Sequence, residues 1–455
     1  MVRRMRWGAA LAAVMVALSV SAALAYSWDK PNTGAADPGR LGPNYTWNNG
    51  DPVLAVNGDN SLSAAYVSDY VRGVFADDVT GPYMSNFYVR STNNGQTWSR
   101  PFKLNGQYHA DRVTLVSSGN NVVTFFMSQQ HYWATPGGST FKTGEPRYIY
   151  FRTNTNNGAA AAWSAARRLP GQTQTSRGDY LYSASDGNLV VVATTNTQTG
   201  KIWTWRSTNG GTSFTGPIEV GGTTATDTQS GYVGGFSGLP AVAVHGSTVV
   251  VGWTSTAAGR VSTAVSTDSG ATYGAPTTRQ ASGGNANNGY VQADDRSGDN
   301  RLAFTWTTPD GAYLQIYDDG TDTWLAKRTI TTFPDPDPAV GNTYDKGGEG
   351  AIVALGTGTK IGVALSECNT ANGFTCNNPQ LSDVKAREQL VWRESSNNGA
   401  SWGGAEIIAP VGSGKGQYIH NYGDAIYLPN GKPFVLWNAH NSAYTAYTTQ
   451  IRVGN

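Results

Sequence analysis

The chain has 455 residues, with 32 basic and 31 acidic side chains, and only 14% of its residues are charged. That even balance gives no electrostatic pull towards nucleic acid or an anionic membrane surface, and neither is expected as a partner. Plentiful Gly, Thr, Ser, Asn and aromatic residues point instead to an all-β chain with many turns.

The chain opens on Arg3, Arg4 and Arg6, followed by an apolar run from Gly8 to Ala25 that ends in Ala23-Leu24-Ala25. Basic, apolar and small residues in that order form a secretory signal. Residues 1–25 are therefore expected to be a signal peptide and 26–455 one secreted, extracellular domain. A membrane anchor is the alternative, but the run is at the lower limit for spanning, and no later stretch is apolar enough to span. Without the three arginines, 29 basic residues face 31 acidic ones. A monomer is expected.

From about Asp51 a unit recurs. Starts fall near Asp51, Asp111, Asp179, Leu239, Tyr290, Glu349 and Asp424. Each unit has a short first strand, such as Asp111-Arg112-Val113-Thr114-Leu115-Val116, and then an apolar second strand, such as Val249-Val250-Val251-Gly252-Trp253. An alternating third strand follows, such as Trp203-Thr204-Trp205-Arg206. In four units the third strand runs into one pattern, Ser-x-(Asp/Asn)-x-Gly-x-(Thr/Ser)-aromatic. It occurs at Ser91–Trp98, Ser207–Phe214, Ser266–Tyr273 and Ser395–Trp402. Degenerate versions lie at Thr153–Trp163 and Asp318–Trp324. In such a box, Asp or Asn bonds its own turn, Gly takes a positive φ and the aromatic folds back over the hairpin. The box is a staple of fold rather than a site of chemistry.

A strand after the box completes four per unit. Seven starts argue for a single β-propeller of seven four-stranded blades, with six as the alternative. The last unit ends without a box, and its fourth strand is expected from the N-terminal stretch around Tyr45-Thr46-Trp47. Arg90, Arg152, Arg206 and Arg393 each precede a box and read as scaffold. Trp253, Trp306 and Trp437 end equivalent strands and are expected to pack between blades.

Cys368 and Cys376 are the only cysteines. In an oxidising compartment they are expected to close a local loop disulfide. Residues Pro334–Pro338 with Tyr344-Asp345-Lys346 read as a stiff connection, with a substrate lid or a weak calcium loop as alternatives. No cofactor is otherwise expected. His131, Tyr132 and Trp133 sit in a long aromatic insert, suited to stacking on sugar rings or to covering a blade edge.

The acids Asp51, Asp111, Asp179, Glu349 and Asp424 recur at first-strand starts. First strands line a propeller's axis, so two readings stand. The acids accept backbone N–H bonds from neighbouring blades, the favoured reading, or they form a carboxylate ring for a polyhydroxyl substrate or a cation. Arg112 and Arg177 break the repeat near the expected funnel mouth. There they suit the carboxylate of an acidic sugar, or ion pairing with the adjacent acids. His109 and His420 lie beside Tyr108, Tyr418 and Tyr422, a pairing that suits proton transfer in a hydrolase or lyase, although a lone loop histidine is more often simply solvated. Walker, His-Glu-x-x-His and Gly-x-Ser-x-Gly motifs are absent.

Through its boxes the chain resembles the bacterial-neuraminidase-repeat proteins and is similar to a distant member of the sialidase superfamily. The resemblance implies a retaining glycosidase with a tyrosine nucleophile paired with a glutamate, an aspartate acid/base and three arginines on the substrate carboxylate. Glu349, in Gly348-Glu349-Gly350-Ala351-Ile352, is similar to the family's glutamate, and Tyr422, in Tyr422-Gly423-Asp424-Ala425, to its tyrosine. With Asp111 and His420 they form the candidate catalytic set. Arg112, Arg177, His109, Asp179, Asp424 and Asp51 form the candidate substrate-binding set. The chain departs from the family in three places. It has no Phe/Tyr-Arg-Ile-Pro motif near its start, and Ala364-Leu365-Ser366-Glu367 stands where an arginine is expected. No arginine lies between Ser401 and Tyr422. The function expected is action on extracellular, acidic glycans as a sialidase-like exo-glycosidase or propeller lyase. The alternative is a non-catalytic glycan- or protein-binding propeller.

Overall fold

The computed structural model describes residues 49–68, 85–105, 110–128, 148–159, 162–172, 178–196, 201–220, 240–255, 260–280, 291–308, 311–332, 351–368, 388–409, 418–440 and 447–454. They form seven antiparallel sheets and no α-helix. Six sheets have four strands or more, and the seventh, residues 418–453, has three among the described residues. In chain order the first strands are Asn49–Val56, Ala110–Ser118, Gly178–Asp186, Pro240–His245, Gln292–Asp294, Ile352–Leu355 and Tyr418–Tyr427. These open blades 1 to 7, close to the starts read from the sequence. The stretch around Tyr45 lies outside the described residues.

Local chemistry explains the layers. Second strands are apolar on both faces because they are covered on both. Arg301–Thr308 is buried at all eight positions, as expected for an interior strand. Third strands alternate, as in the half-buried pattern of Lys201–Ser207.

There is no single core. Seven apolar clusters each join two consecutive blades. Leu54, Leu62 and Phe87 of blade 1 pack on Ile426, Phe434 and Leu436 of blade 7, which closes the ring. Trp253, Trp306 and Trp437, as expected, fill the clusters between blades 3 and 4, 4 and 5, and 6 and 7.

The four repeated Ser-x-(Asp/Asn)-x-Gly segments adopt one turn. In the first, the Gly95 N–H donates to Ser91 Oγ at 2.9 Å and the Thr97 N–H to Asn93 Oδ1 at 2.9 Å. The same pair of bonds recurs at Ser207, Ser266 and Ser395. Gly95 has φ +80° and a Cβ there would lie 2.2 Å from Phe434 of blade 7. Gly211 of blade 3 meets Val123 of blade 2 in the same way, and Gly399 of blade 6 meets Leu314 of blade 5. These three turns are thus pressed against the preceding blade, which only glycine permits, whereas Gly270 of blade 4 lies nearest Tyr273 and Val249 of its own blade. In blade 2 the degenerate turn is built on Asn154, whose Oδ1 accepts the Asn156 and Gly158 N–H groups in place of a serine.

Three of the arginines before the turns are bonded as scaffold. Arg90 pairs with Asp59, and Arg206 donates to the Asp268 and Ser269 carbonyls of the next blade. Arg393 pairs with Glu367 at 2.7 Å.

Candidate functional site

The repeated turns and the turns joining first to second strands share one end of every blade, because neighbouring strands are antiparallel. First strands therefore begin at the opposite end. There four of them leave regular pairing. The register shifts between Gly50 and Val53 in blade 1 and between Asp111 and Val113 in blade 2. It also shifts between Gly178 and Leu181 in blade 3 and between His420 and Gly423 in blade 7. Blades 7, 1, 2 and 3 are consecutive around the ring. Among the described residues, which in blades 4, 5 and 6 begin at 240, 291 and 351, the first strands pair without a shift.

Residues singled out from the sequence occupy these bulges. Asp51 is in the first, Arg112 in the second with Asp111 beside it, Asp179 in the third, and Tyr422 in the fourth after His420. A bulge inserts residues that have no cross-strand partner and re-aims the side chains around it. Arg112 takes φ +50°, a left-handed conformation uncommon for a residue with a Cβ, and its carbonyl accepts from Asn86 Nδ2 at 3.3 Å. Backbone placement thus brings Asp51, Asp111, Arg112, Asp179, His420 and Tyr422 to one sector of one end of the ring. Glu349, Arg177 and His109 lie outside the described residues, as do the His131 insert and residues 333–350. Cys368 ends the second strand of blade 6, Ile361–Cys368, and Cys376 lies outside the described residues.

Asp424 is placed differently. It follows the blade 7 bulge, and protein donors occupy both its oxygens. Oδ2 accepts the Leu54 N–H of blade 1 at 2.8 Å. Arg296 grips the carboxylate with two bonds, at 2.8 and 3.1 Å. This is the backbone-anchoring arrangement favoured for the axial acids. The carboxylates of Asp51, Asp111, Asp179 and Glu349 lie outside what is described.

Below the bulges an axial cavity of about 310 Å³ is lined by residues of all seven blades. Its lining begins at Val53, Leu181 and Gly423, next to three of the bulges, and reaches Asp186, His245 and Asp295 at the other end. Arg296, from blade 5, extends across this axis. Nε donates to Asp294 at 2.5 Å, and the terminal nitrogens donate to Asp424 and to the Leu54 and Ala425 carbonyls. Five N–H groups thus meet five bonds. Protein surrounds the side chain, yet 27% of it stays open to cavity solvent. The two carboxylates raise its pKa well above the ordinary value against the opposing effect of burial. Asp294, only 1% exposed, is pushed upwards by burial although Arg296 opposes the shift. Its Oδ2 accepts the Leu355 N–H of blade 6 at 2.5 Å.

Tyr182 makes a second spoke. From blade 3 its hydroxyl donates to the Ala293 carbonyl of blade 5 at 2.7 Å, skipping blade 4. Asp295, held by the Val244 N–H at 2.6 Å, has its pKa pushed up to about 8 by burial and by Asp294. His245 Nδ1 lies 2.7 Å from Asp319.

Sequence reading missed Arg296, Asp294, Asp295 and Tyr182. The signal was present in the run Asp294-Asp295-Arg296, three adjacent charged residues at the end of a first strand. No group of three His, Cys, Asp or Glu side chains suited to a metal occurs among the described residues, and no helix there is long and apolar enough to cross a membrane.

No family model matches the chain, and no curated protein matches it. Solved structures do align. A protein of unknown function from Dyadobacter fermentans is 12% identical over 90% of this chain and 96% of that one, with a TM-score of 0.47. A mutant of the NanB sialidase from Streptococcus pneumoniae is 11% identical over 94% of this chain and 70% of that one, also at 0.47. An intramolecular trans-sialidase from Ruminococcus gnavus is 10% identical over 90% and 94%, at 0.46.

Proposed function

We propose that this is an exported, carbohydrate-active propeller of sialidase-like type, working on extracellular acidic glycans at the bulged sector of blades 7, 1, 2 and 3. One observation carries the reading. Among the described residues the four register shifts of first strands fall on consecutive blades and coincide with Asp51, Arg112, Asp179 and Tyr422. Departures from regular pairing gather where side chains must be aimed. Tyr422 is the proposed nucleophile, with Glu349 as its partner. A neutral phenol avoids the repulsion that a carboxylate would meet from an anionic sugar. Asp111 and His420 are the proposed acid/base groups. Arg112 and Arg177 would hold the substrate carboxylate by a bidentate fork, with Asp51, Asp179 and His109 on its hydroxyls. Asp424 is left out of this set because its oxygens are already bonded within the protein.

The test is a screen of the chain from Tyr26 onward against chromogenic sialosides, other exo-glycosides and uronate polysaccharides. Turnover is expected, and Tyr422→Phe and Glu349→Gln should abolish it. Arg112→Gly should lose substrate affinity without loss of stability, since glycine accepts φ +50° freely. The second reading, a non-catalytic glycan-binding propeller, is favoured by Ala364-Leu365-Ser366-Glu367 standing where an arginine is expected. Silence across the panel, with glycan binding retained, selects it.

A further inference from the structure

Four arginines stand just before a turn of the repeat, and three of them are bonded within the protein. Arg152, in the third strand of blade 2, is the exception. Among the described residues it has no ion pair and no hydrogen bond, and it lies 5.8 Å from the centre of the Phe102 ring of blade 1. Its Nε is buried with no acceptor, while its terminal nitrogens, equally without an acceptor, reach solvent. Burial lowers its pKa, and no carboxylate opposes the shift. A guanidinium half withdrawn from water and left without an anion is costly, and such a group in a folded protein needs an explanation.

The surroundings are aromatic and positive. Along Tyr148–Asn154 the half-buried positions Tyr148, Tyr150 and Arg152 share one face. Tyr150 packs on a cluster shared with blade 1, so this face looks across the cleft between blades 1 and 2. In the same cluster Phe102 stacks on Trp163 at 5.9 Å, the rings 8° from parallel, and both stay partly open. Residues 148–172 carry Arg152, Arg167 and Arg168, and residues 85–105 carry Arg90, Arg100 and Lys103, with no Asp or Glu in either stretch. Asp59, the acid on Arg90, is already paired.

Unspent guanidinium donors in a positive setting suit an oxyanion. A nucleic acid would need a track of several phosphate contacts, whereas one carboxylate or sulfate needs a single fork. The partly open rings beside it offer an apolar platform for a small ring-shaped body. We infer that the outer cleft between blades 1 and 2 binds the carboxylate or sulfate of an acidic sugar on the terminal nitrogens of Arg152, with the sugar ring against Phe102 and Trp163. Arg152 stands near the turn end of its blade, opposite the bulges and two strands further from the axis. The site therefore shares a class of ligand with the bulged sector but none of its residues.

The experiment is an NMR titration of the whole protein at pH 7 and low salt with glucuronate, with glucose sulfate and with uncharged glucose. It follows the side-chain N–H signals of Arg152 and Trp163, each assigned by its loss in Arg152→Met or Trp163→Phe. These signals are local, so a sugar held at the bulged sector leaves them still. Saturable shifts with one or both acids and none with glucose are expected, and the tighter acid names the group. Arg152→Met, read from Trp163, should weaken binding about tenfold or more. Its melting transition should be unchanged or raised, since the arginine has no bond to lose. Arg393→Met, which breaks the pair with Glu367, should lower the melting transition and keep the affinity. Signals that stay still with both acids would overturn the proposal. So would equal shifts with glucose, full affinity in Arg152→Met, or a short DNA duplex that binds more tightly than either acid and is lost in Arg152→Met.

Discussion

Arg296 and Asp294 show how much one side chain can organise. Asp294 is almost wholly enclosed, and Arg296 is the cation beside it. Breaking a buried pair from one side leaves an uncompensated charge, typically a loss of 3–5 kcal/mol. Arg296→Ala is therefore expected to lose about 3–5 kcal/mol in denaturant unfolding at pH 7. The loss should shrink towards pH 4, where the Asp294 carboxyl, already raised by burial, takes up a proton. Asp295 gives a pH signature of opposite sense to an ordinary paired carboxylate. Its pKa rises from 3.8 to about 8 on folding, so between those values the folded protein holds a proton that the unfolded chain has released. Stability then falls as pH rises through that window. Asp295→Asn keeps an acceptor for the Val244 N–H and removes the titration. Its stability between pH 5 and pH 8 should change less steeply than that of the unaltered protein. None of this was legible in the sequence as function. Arg112 and Arg177 stand out in the sequence as breaks in the repeat, whereas Asp294-Asp295-Arg296 does not. A first strand only three residues long gave no apolar run against which to notice the exception.

At the scale of strands and turns the sequence was far more informative. The repeated turn announces itself because its glycine answers two demands at once, a positive φ and the absence of a Cβ. Gly95→Ala would set a methyl 2.2 Å from Phe434 at φ +80°. A loss of about 2–4 kcal/mol is expected from strain and overpacking together. Gly187→Ala, at φ +53° with open space around it, carries the strain alone and should lose about 1–2 kcal/mol. Comparing the two variants by denaturant melts separates contact from conformation. The bulges were hidden for a physical reason. A register shift depends on which residue of the neighbouring strand lies opposite, and a single strand's residues do not carry that. The acids at the strand starts could be found in the sequence, but their gathering into one sector could not.

In the molecule as a whole, blade number was legible because every unit repeats the same interface. Seven clusters join the blades pairwise, and the last joins blade 7 to blade 1. Removing residues 418–455 would uncover Leu54, Leu62 and Phe87 on one side and Ile352 and Trp392 on the other. Two such apolar faces are expected to drive association, and the truncated chain should elute as aggregate on size-exclusion chromatography. The turns add a direction to this ring, since Gly95, Gly158, Gly211 and Gly399 each press on the blade before their own. Every contact is therefore head-to-tail. Such contacts form a ring only when the rotation at each step divides a full circle, about 51° for seven. An eighth blade would need every step to narrow to about 45°. The number of blades is thus a property of the angle at one interface, and a sequence that lengthened by one unit would have to re-cut all its interfaces to close.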